Sequence, residues 1–213
     1  AAKLPMIGSF SSVDTERVIG LHPDLVVGIP AQARLTADLS RAGIKVKLYS
    51  DDSFGDIDRV IGQLGSATGH SASAAALIEK LKARTRELVR TAHFRRRPRV
   101  LVVVNASPII VAGKGSYMGT LVELAGARNA VQITQAYPQY SAEALIQLQP
   151  DAIVTDPTTG LSGLLDRQPW HSLRAVREHH IYTVDPQAIL ERPGPRYNEG
   201  LSWLIEHLRP LAQ

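Results

Sequence analysis

Residues 13–30 read VDTERVIGLHPDLVVGIP, and residues 140–157 read YSAEALIQLQPDAIVTDP. At a constant offset of 127 the pairs Glu16/Glu143, Ile19/Ile146, Leu21/Leu148, Pro23/Pro150, Asp24/Asp151, Val27/Val154 and Pro30/Pro157 are identical. Seven of eighteen positions agree without a gap, where unrelated stretches would share about one. Phe10 falls on Tyr137 under the same shift. In each copy a short helical pattern carries Val18 and Leu21, or Leu145 and Leu148, and stops at Pro23 or Pro150, which has no N–H to continue a helix. The apolar run that follows, Leu25 to Ile29 or Ala152 to Val154, fits a strand buried on both faces. Helix then buried strand, twice, predicts an α/β protein of two Rossmann-like lobes.

The intervening sequence fills these lobes. In the first, a helix near 31–42 leads to a strand at 45–49 and a helix at 54–67. Residues 71–94 contain neither Gly nor Pro and are rich in Ala, Leu, Lys, Arg and Glu, all strong helix formers. Leu77, Leu81 and Leu88 line one stripe of that segment, so it reads as one long amphipathic helix, a stiff connector rather than a flexible hinge. The second lobe has strands near 99–104 and 108–112 and a helix at 117–125. After its repeat come a helix near 159–166, a strand near 180–184 and a terminal helix at 196–209. The expected organisation is an N-terminal lobe at 1–70, the connecting helix at 71–94 and a C-terminal lobe at 95–213. The second lobe also opens with a strand–turn–helix unit, from about Arg99 to Ala130, ahead of its repeat. Nothing in the chain matches that unit in the first lobe, so the N-terminal lobe is expected to be incomplete, missing its first strand and helix.

Composition narrows the function. With 44% hydrophobic and 21% charged residues the chain can build a sizeable core. The longest apolar stretch, Val100 to Ala112, is interrupted by Asn105, and is too short to span a bilayer, which takes roughly 20 residues. The N-terminus lacks an apolar signal region, so either the protein is cytoplasmic or a targeting segment has been removed. Cysteine is absent, which excludes thiolate metal sites, cysteine nucleophiles and disulfides. The net charge of +4 comes visibly from Arg95, Arg96, Arg97 and Arg99, which read as the solvated end of a helix. Aromatics at 5% are too few for a nucleic-acid-binding surface.

Catalysis finds no support. Gly113-Lys114-Gly115 with Gly119 lies between a strand and a helix, but its spacing is not that of a dinucleotide loop and no acidic residue follows about 20 positions on. We read it as a tight turn. No G-x-S-x-G elbow is present. The histidines at 22, 70, 93, 171 and 207 have no spacing that demands a metal site, and none is expected.

Two α/β lobes on one long helix resemble the helical-backbone (class III) ABC-transporter substrate-binding proteins, which carry cobalamin, haem, iron-siderophores or metal ions. The wording agrees at LPMIGSFSSVDTERVIGLHPDLVVG (4–28), GKGSYMGTLVELAGARNAV (113–131), YSAEALIQLQPDAIV (140–154) and ERPGPRY (191–197). The second and last segments are most similar to the vitamin B12-binding branch. The resemblance implies an importer component, periplasmic or membrane-anchored, that binds cobalamin or a related corrinoid in an interlobe cleft without a cofactor of its own. It would hand that ligand to a permease dimer, with haem and siderophore as alternative ligands. A ligand sensor not coupled to transport is a further alternative. By position the resemblance assigns Glu16 and Glu143 to docking on permease arginines. Phe10 and Tyr137 would pack on the tetrapyrrole face, and Asp185 and Arg192 would offer polar contacts. Core packing or a loop salt bridge is the alternative role for each of those last four. The chain departs from the B12 pattern at Ile29, Val104 and Ile110, where the branch carries aromatics. Tyr137 and Tyr140 are candidate axial ligands if the ligand is haem.

Overall fold

The computed structural model describes residues 4–9, 12–50, 53–92, 94–184, 190 and 192–212. Phe10 and Asp185 therefore lie outside the described residues. The chain forms two compact units, 1–51 and 52–213.

The first unit runs α1 (Thr15–Gly20), β1 (Val26–Gly28), α2 (Arg34–Arg41) and β2 (Val46–Leu48). β1 and β2 pair in parallel, Val26 opposite Val46 and Gly28 opposite Leu48, with α2 as the crossover. Among the described residues no other strand pairs with β1.

The second unit contains α3 (Phe54–Ala67), α4 (Ser71–Thr91), β3 (Arg99–Ala106), β4 (Ile109–Val111), α5 (Tyr117–Leu124), β5 (Arg128–Asn129), α6 (Ala142–Leu148), β6 (Ala152–Thr155), α7 (Arg174–Arg177), β7 (Ile181–Thr183) and α8 (Tyr197–Leu208). Its sheet has the order β4-β3-β6-β7, with β5 pairing the lower half of the same β3 edge that β4 pairs above. All pairs but β3/β4 are parallel.

β3 explains the layered architecture. Its alternate side chains point to opposite faces. Val100 and Val102 join a core with α4, α5 and α8, and Leu101 and Val103 join a second core around Leu145, Trp170 and Leu173. All four valine and leucine side chains are buried, as a strand covered on both faces requires.

The long helix is as the composition predicts, though it ends at Thr91. Over 21 residues it spans about 30 Å. Leu81 and Leu88 are buried and Leu77 packs beside them. α3 lies against α4 so closely that a Cβ on Gly65 would stand 2.4 Å from that of Ala74. On its other side α4 is tied to α8. Thr85 Oγ1 lies 2.9 Å from the Tyr197 hydroxyl, and Asn198 Nδ2 donates to the Leu81 carbonyl at 3.0 Å. α3 therefore belongs with α4 in the second unit, and the boundary between units falls ahead of it.

The expected helix near 159–166 is instead a pair of short 3-10 turns, Pro157–Thr159 and Leu161–Leu164. Gly160 between them sits at φ +76°, a left-handed residue that breaks any continuous helix. The basic run is not a helix end either. It lies beyond α4 in the connection that enters β3, where Arg96 pairs with Asp151 and Arg97 with Glu123.

The sequence repeat is also a repeat of backbone. Asp14 caps α1 by accepting from the Arg17 N–H at 2.9 Å, and Ser141, 127 residues on, caps α6 by accepting from the Ala144 N–H at 3.2 Å. His22 and Gln149 hold the equivalent position after the helix, and both are left-handed, at φ 47° and 36°. A left-handed residue followed by proline ends each helix and releases the chain into the strand. The environments differ. Val154 is 1% exposed, whereas its counterpart Val27 is 48% exposed and no residue of 25–29 is buried, so the strand of the first copy is not the doubly buried one expected from its apolar run.

Replacing a left-handed residue by glycine removes strain of about 1 kcal/mol but enlarges the unfolded ensemble by roughly half that. His22 is exposed, so His22→Gly should stabilise the protein slightly. Gln149 donates to the Ile146 carbonyl at 2.9 Å and accepts from the Arg174 N–H at 3.1 Å. Gln149→Gly should therefore cost about 1 kcal/mol or more. Urea denaturation followed by circular dichroism distinguishes these opposite signs.

Candidate functional site

Tyr137 sits on a loop that the rest of the second unit grips by its backbone. The Gly113 N–H donates to the Ala136 carbonyl at 2.8 Å, and the Lys114 N–H to the Ile133 carbonyl at 2.8 Å. Val111 donates to Pro138 at 3.2 Å, and Tyr140 to Ile109 at 2.9 Å. The glycines of the GKGSYMG segment have a steric reason. A Cβ on Gly113 would lie 2.0 Å from the Gln135 carbonyl oxygen, and one on Gly115 2.0 Å from that of Thr134. The turn is tight because a second backbone segment lies against it, which accounts for the glycines without a nucleotide.

The helix after this turn is fixed by the same residues. Ser116 Oγ donates to the Gly113 carbonyl at 2.7 Å and accepts from the Gly119 N–H at 2.9 Å. Asn129, buried at the end of β5, donates to the Ala112 carbonyl at 3.0 Å and accepts from the Val131 N–H at 3.0 Å. The backbone N–H of Asn129 in turn donates to Glu123 at 2.9 Å.

Tyr137 is half-buried and packs on the core formed with α5 and α8. There it borders an aromatic group that the sequence did not reveal. Phe54 stacks on Tyr117 at 6.3 Å and meets Tyr197 edge-on at 4.8 Å. Burial pushes the Tyr117 phenol well above the usual tyrosine range, with the Tyr197 and Tyr137 phenols adding to it, so Tyr117 is a neutral hydroxyl. Burial raises Tyr140 as well. The missed signal was the wide spacing of these residues along the chain, which hides that α3, α5 and α8 converge.

Glu143 lies in the first turn of α6, exposed, six residues after Tyr137. Hydrogen bonds from its own backbone N–H and from Ser141 hold its carboxyl below the usual range, so it is an anion at neutral pH. Glu16 occupies the equivalent place in the first turn of α1 in the other unit, also exposed. Arg192 is exposed, two residues beyond the buried Leu190. Of the positions where the B12 pattern is aromatic, Val104 packs on the core with α5 and α8, and Ile110 and Ile29 are partly exposed. Among the described residues no three histidine or carboxylate groups gather as a metal site would require, and no helix is long and apolar enough to cross a membrane.

The family model for periplasmic binding proteins matches residues 1–188. An uncharacterized ABC transporter substrate-binding lipoprotein of Bacillus subtilis is 31% identical over 98% of this chain and 68% of its own length. A vitamin B12-binding protein of Vibrio parahaemolyticus is 24% identical over all of this chain and 78% of its own. The crystal structure of a periplasmic haem-binding protein from Pseudomonas aeruginosa superposes with a TM-score of 0.85 at 26% identity, covering all of this chain and 81% of that one.

The grip on the Tyr137 loop is testable at Gly119. Alanine is favoured over glycine inside a helix by about 1 kcal/mol. Here a Cβ would lie 2.3 Å from the Gly113 carbonyl oxygen and 2.8 Å from Asn129 Nδ2. Overpacking against backbone costs about 1–3 kcal/mol or more, so Gly119→Ala should destabilise the protein on balance. A urea midpoint at or above that of the unmodified protein would show that the turn yields.

Proposed function

The chain belongs to the periplasmic binding protein family, and from that premise we propose that it binds cobalamin or a related corrinoid and delivers it to the permease of an ABC importer. That it is an ABC-transporter substrate-binding protein rather than an enzyme follows from the family itself. The choice of ligand is carried by one observation, the alignment of a vitamin B12-binding protein along the whole chain. The build of the second unit supports it. A half-buried tyrosine on a backbone-clamped loop offers a flat apolar face whose position is fixed before the ligand arrives, so little conformational entropy is lost on binding. Arg192, exposed, suits the peripheral amides of a corrin. Function is binding and handover, with no covalent step, in the periplasm or on the outer side of the cytoplasmic membrane.

Haem is the second reading, favoured by the 26% identity and close superposition with a haem-binding protein. Tyr140 as an axial ligand would have to ionise against the burial that raises its pKa. Isothermal titration of the chain with cyanocobalamin, and separately with haemin, discriminates the two. Saturation by cyanocobalamin at one site, with weaker haemin binding, is the expected result. Tyr137→Ala should then weaken it by about tenfold, the loss of a buried aromatic contact. Heat with haemin alone would overturn the corrinoid assignment.

Glu16 and Glu143 supply the docking groups in this proposal. Each is an exposed carboxylate in the first turn of a capped helix, at the same place in the two copies of the repeat. Matched anions suit a two-fold partner and set register and on-rate more than affinity. Glu16→Arg with Glu143→Arg should abolish permease-coupled uptake and leave ligand affinity intact. Unchanged uptake would remove the docking role and favour a sensor uncoupled from transport.

A further inference from the structure

The end of the sheet at which β3 and β6 begin carries a hollow of about 540 Å³. Five cations line it, Arg96, Arg97, Arg99, Lys114 and Arg128, against the two carboxylates of Glu123 and Asp151. Both carboxylates are already engaged in holding the fold. Asp151, nearly buried, accepts from Arg96 at 2.9 Å, from Arg174, and from the Arg99 backbone N–H at 2.7 Å. Glu123 accepts from Arg97 at 2.5 Å and from the Asn129 N–H at 2.9 Å. Arg99, Lys114 and Arg128 have no carboxylate partner among the described residues.

The arrangement of these three residues is specific. Arg99 and Arg128 are direct partners in the parallel register of β3 and β5. Their side chains leave neighbouring strands, about 4.8 Å apart, on the same face. Like charges placed opposite each other weaken a ladder. Packing does not require arginine at either place, since Arg128 is exposed and Arg99 only partly buried. Lys114 reaches the same hollow from the turn whose backbone is pinned between Gly113 and Gly115. Three unneutralised cations thus come from three segments, two of them held in register and the third on a fixed turn.

We propose that this hollow binds a phosphate-bearing anion, whose oxygens take the forked donors of Arg99 and Arg128 and the ammonium of Lys114. The anion removes the like-charge opposition at the β3/β5 ladder and supplies the negative charge that the protein withholds there. A free di- or polyphosphate and the headgroup of an anionic lipid share this chemistry. Tyr137 lies beyond β4, opposite Ala112 and level with the middle of β3, and does not line the hollow, so the proposal uses none of the residues assigned to the corrinoid.

The test uses the whole chain and two probes. Pyrophosphate is titrated calorimetrically at low salt, and flotation is measured with vesicles of phosphatidylglycerol in phosphatidylcholine, with pure phosphatidylcholine vesicles as the blank. Lys114→Gln with Arg128→Gln alters two exposed side chains, and circular dichroism checks that the fold is kept. Arg128→Gln alone serves if it is not. Arg86→Gln with Arg90→Gln, on α4, is the control for loss of the same charge elsewhere. The expected result is binding of at least one probe, weakened about tenfold or more by the Lys114/Arg128 change, unaffected by the α4 change, and falling with ionic strength. Pyrophosphate binding identifies a free anion, and flotation without pyrophosphate binding identifies the lipid headgroup. Failure of both probes, or equal weakening by both double variants, overturns the proposal.

Discussion

The second unit depends on one close approach of backbone to backbone. The turn at 113–115 lies so near the carbonyls of residues 134 and 135 that a side chain on either glycine would occupy the space of an oxygen atom. From that approach follow the hydrogen bonds that fix the 133–140 loop, the start of α5 at Ser116, and the anchoring role of Asn129. Tyr137, the α6 cap and Lys114 all take their positions from it. A constraint made of backbone atoms is insensitive to most side-chain change, so the face that carries Tyr137 can vary its chemistry while its scaffold stays in place.

Much of the fold was legible because its determinants are local. The Pro-Asp pair inside each repeat announced a helix stop and a following strand, and the Gly- and Pro-free stretch before Pro98 announced a long helix. Both are present. What was not legible depends on contacts remote in sequence. Leu161 to Leu165 looks helical by composition, but the left-handed Gly160 and the burial of Leu161 against the second core bend it into 3-10 turns. β5 is two residues long and exists through its pairing with β3, which no periodicity could signal. The two copies of the repeat share caps and left-handed ends and differ in burial, since Val154 packs into the core with α4, α5 and α8 and Val27 is open to solvent.

The candidate site shows the same division. Glu16 and Glu143, assigned from the resemblance, do stand at matching exposed places in two first turns, because a repeat preserves position. The aromatic group of Phe54, Tyr117 and Tyr197 was not found, because its members come from three helices far apart in the chain. The basic run was noticed but misplaced. Its arginines acquire meaning from Arg128, Glu123 and Asp151, which lie across the sheet edge rather than along the run.

The clasp between α4 and α8 bears on how the chain reaches this state. Thr85 meets Tyr197 and Asn198 across more than a hundred residues of intervening sequence. Leu81 and Leu88 share a core with Leu201, Leu204 and Leu208, which follow them by more than a hundred positions. Loop closure over such a span is entropically slow, and until it occurs the apolar stripe of α4 has no cover. The docking of α8 therefore couples the two ends of the unit, and the cover of the α4 stripe is gained in one cooperative step.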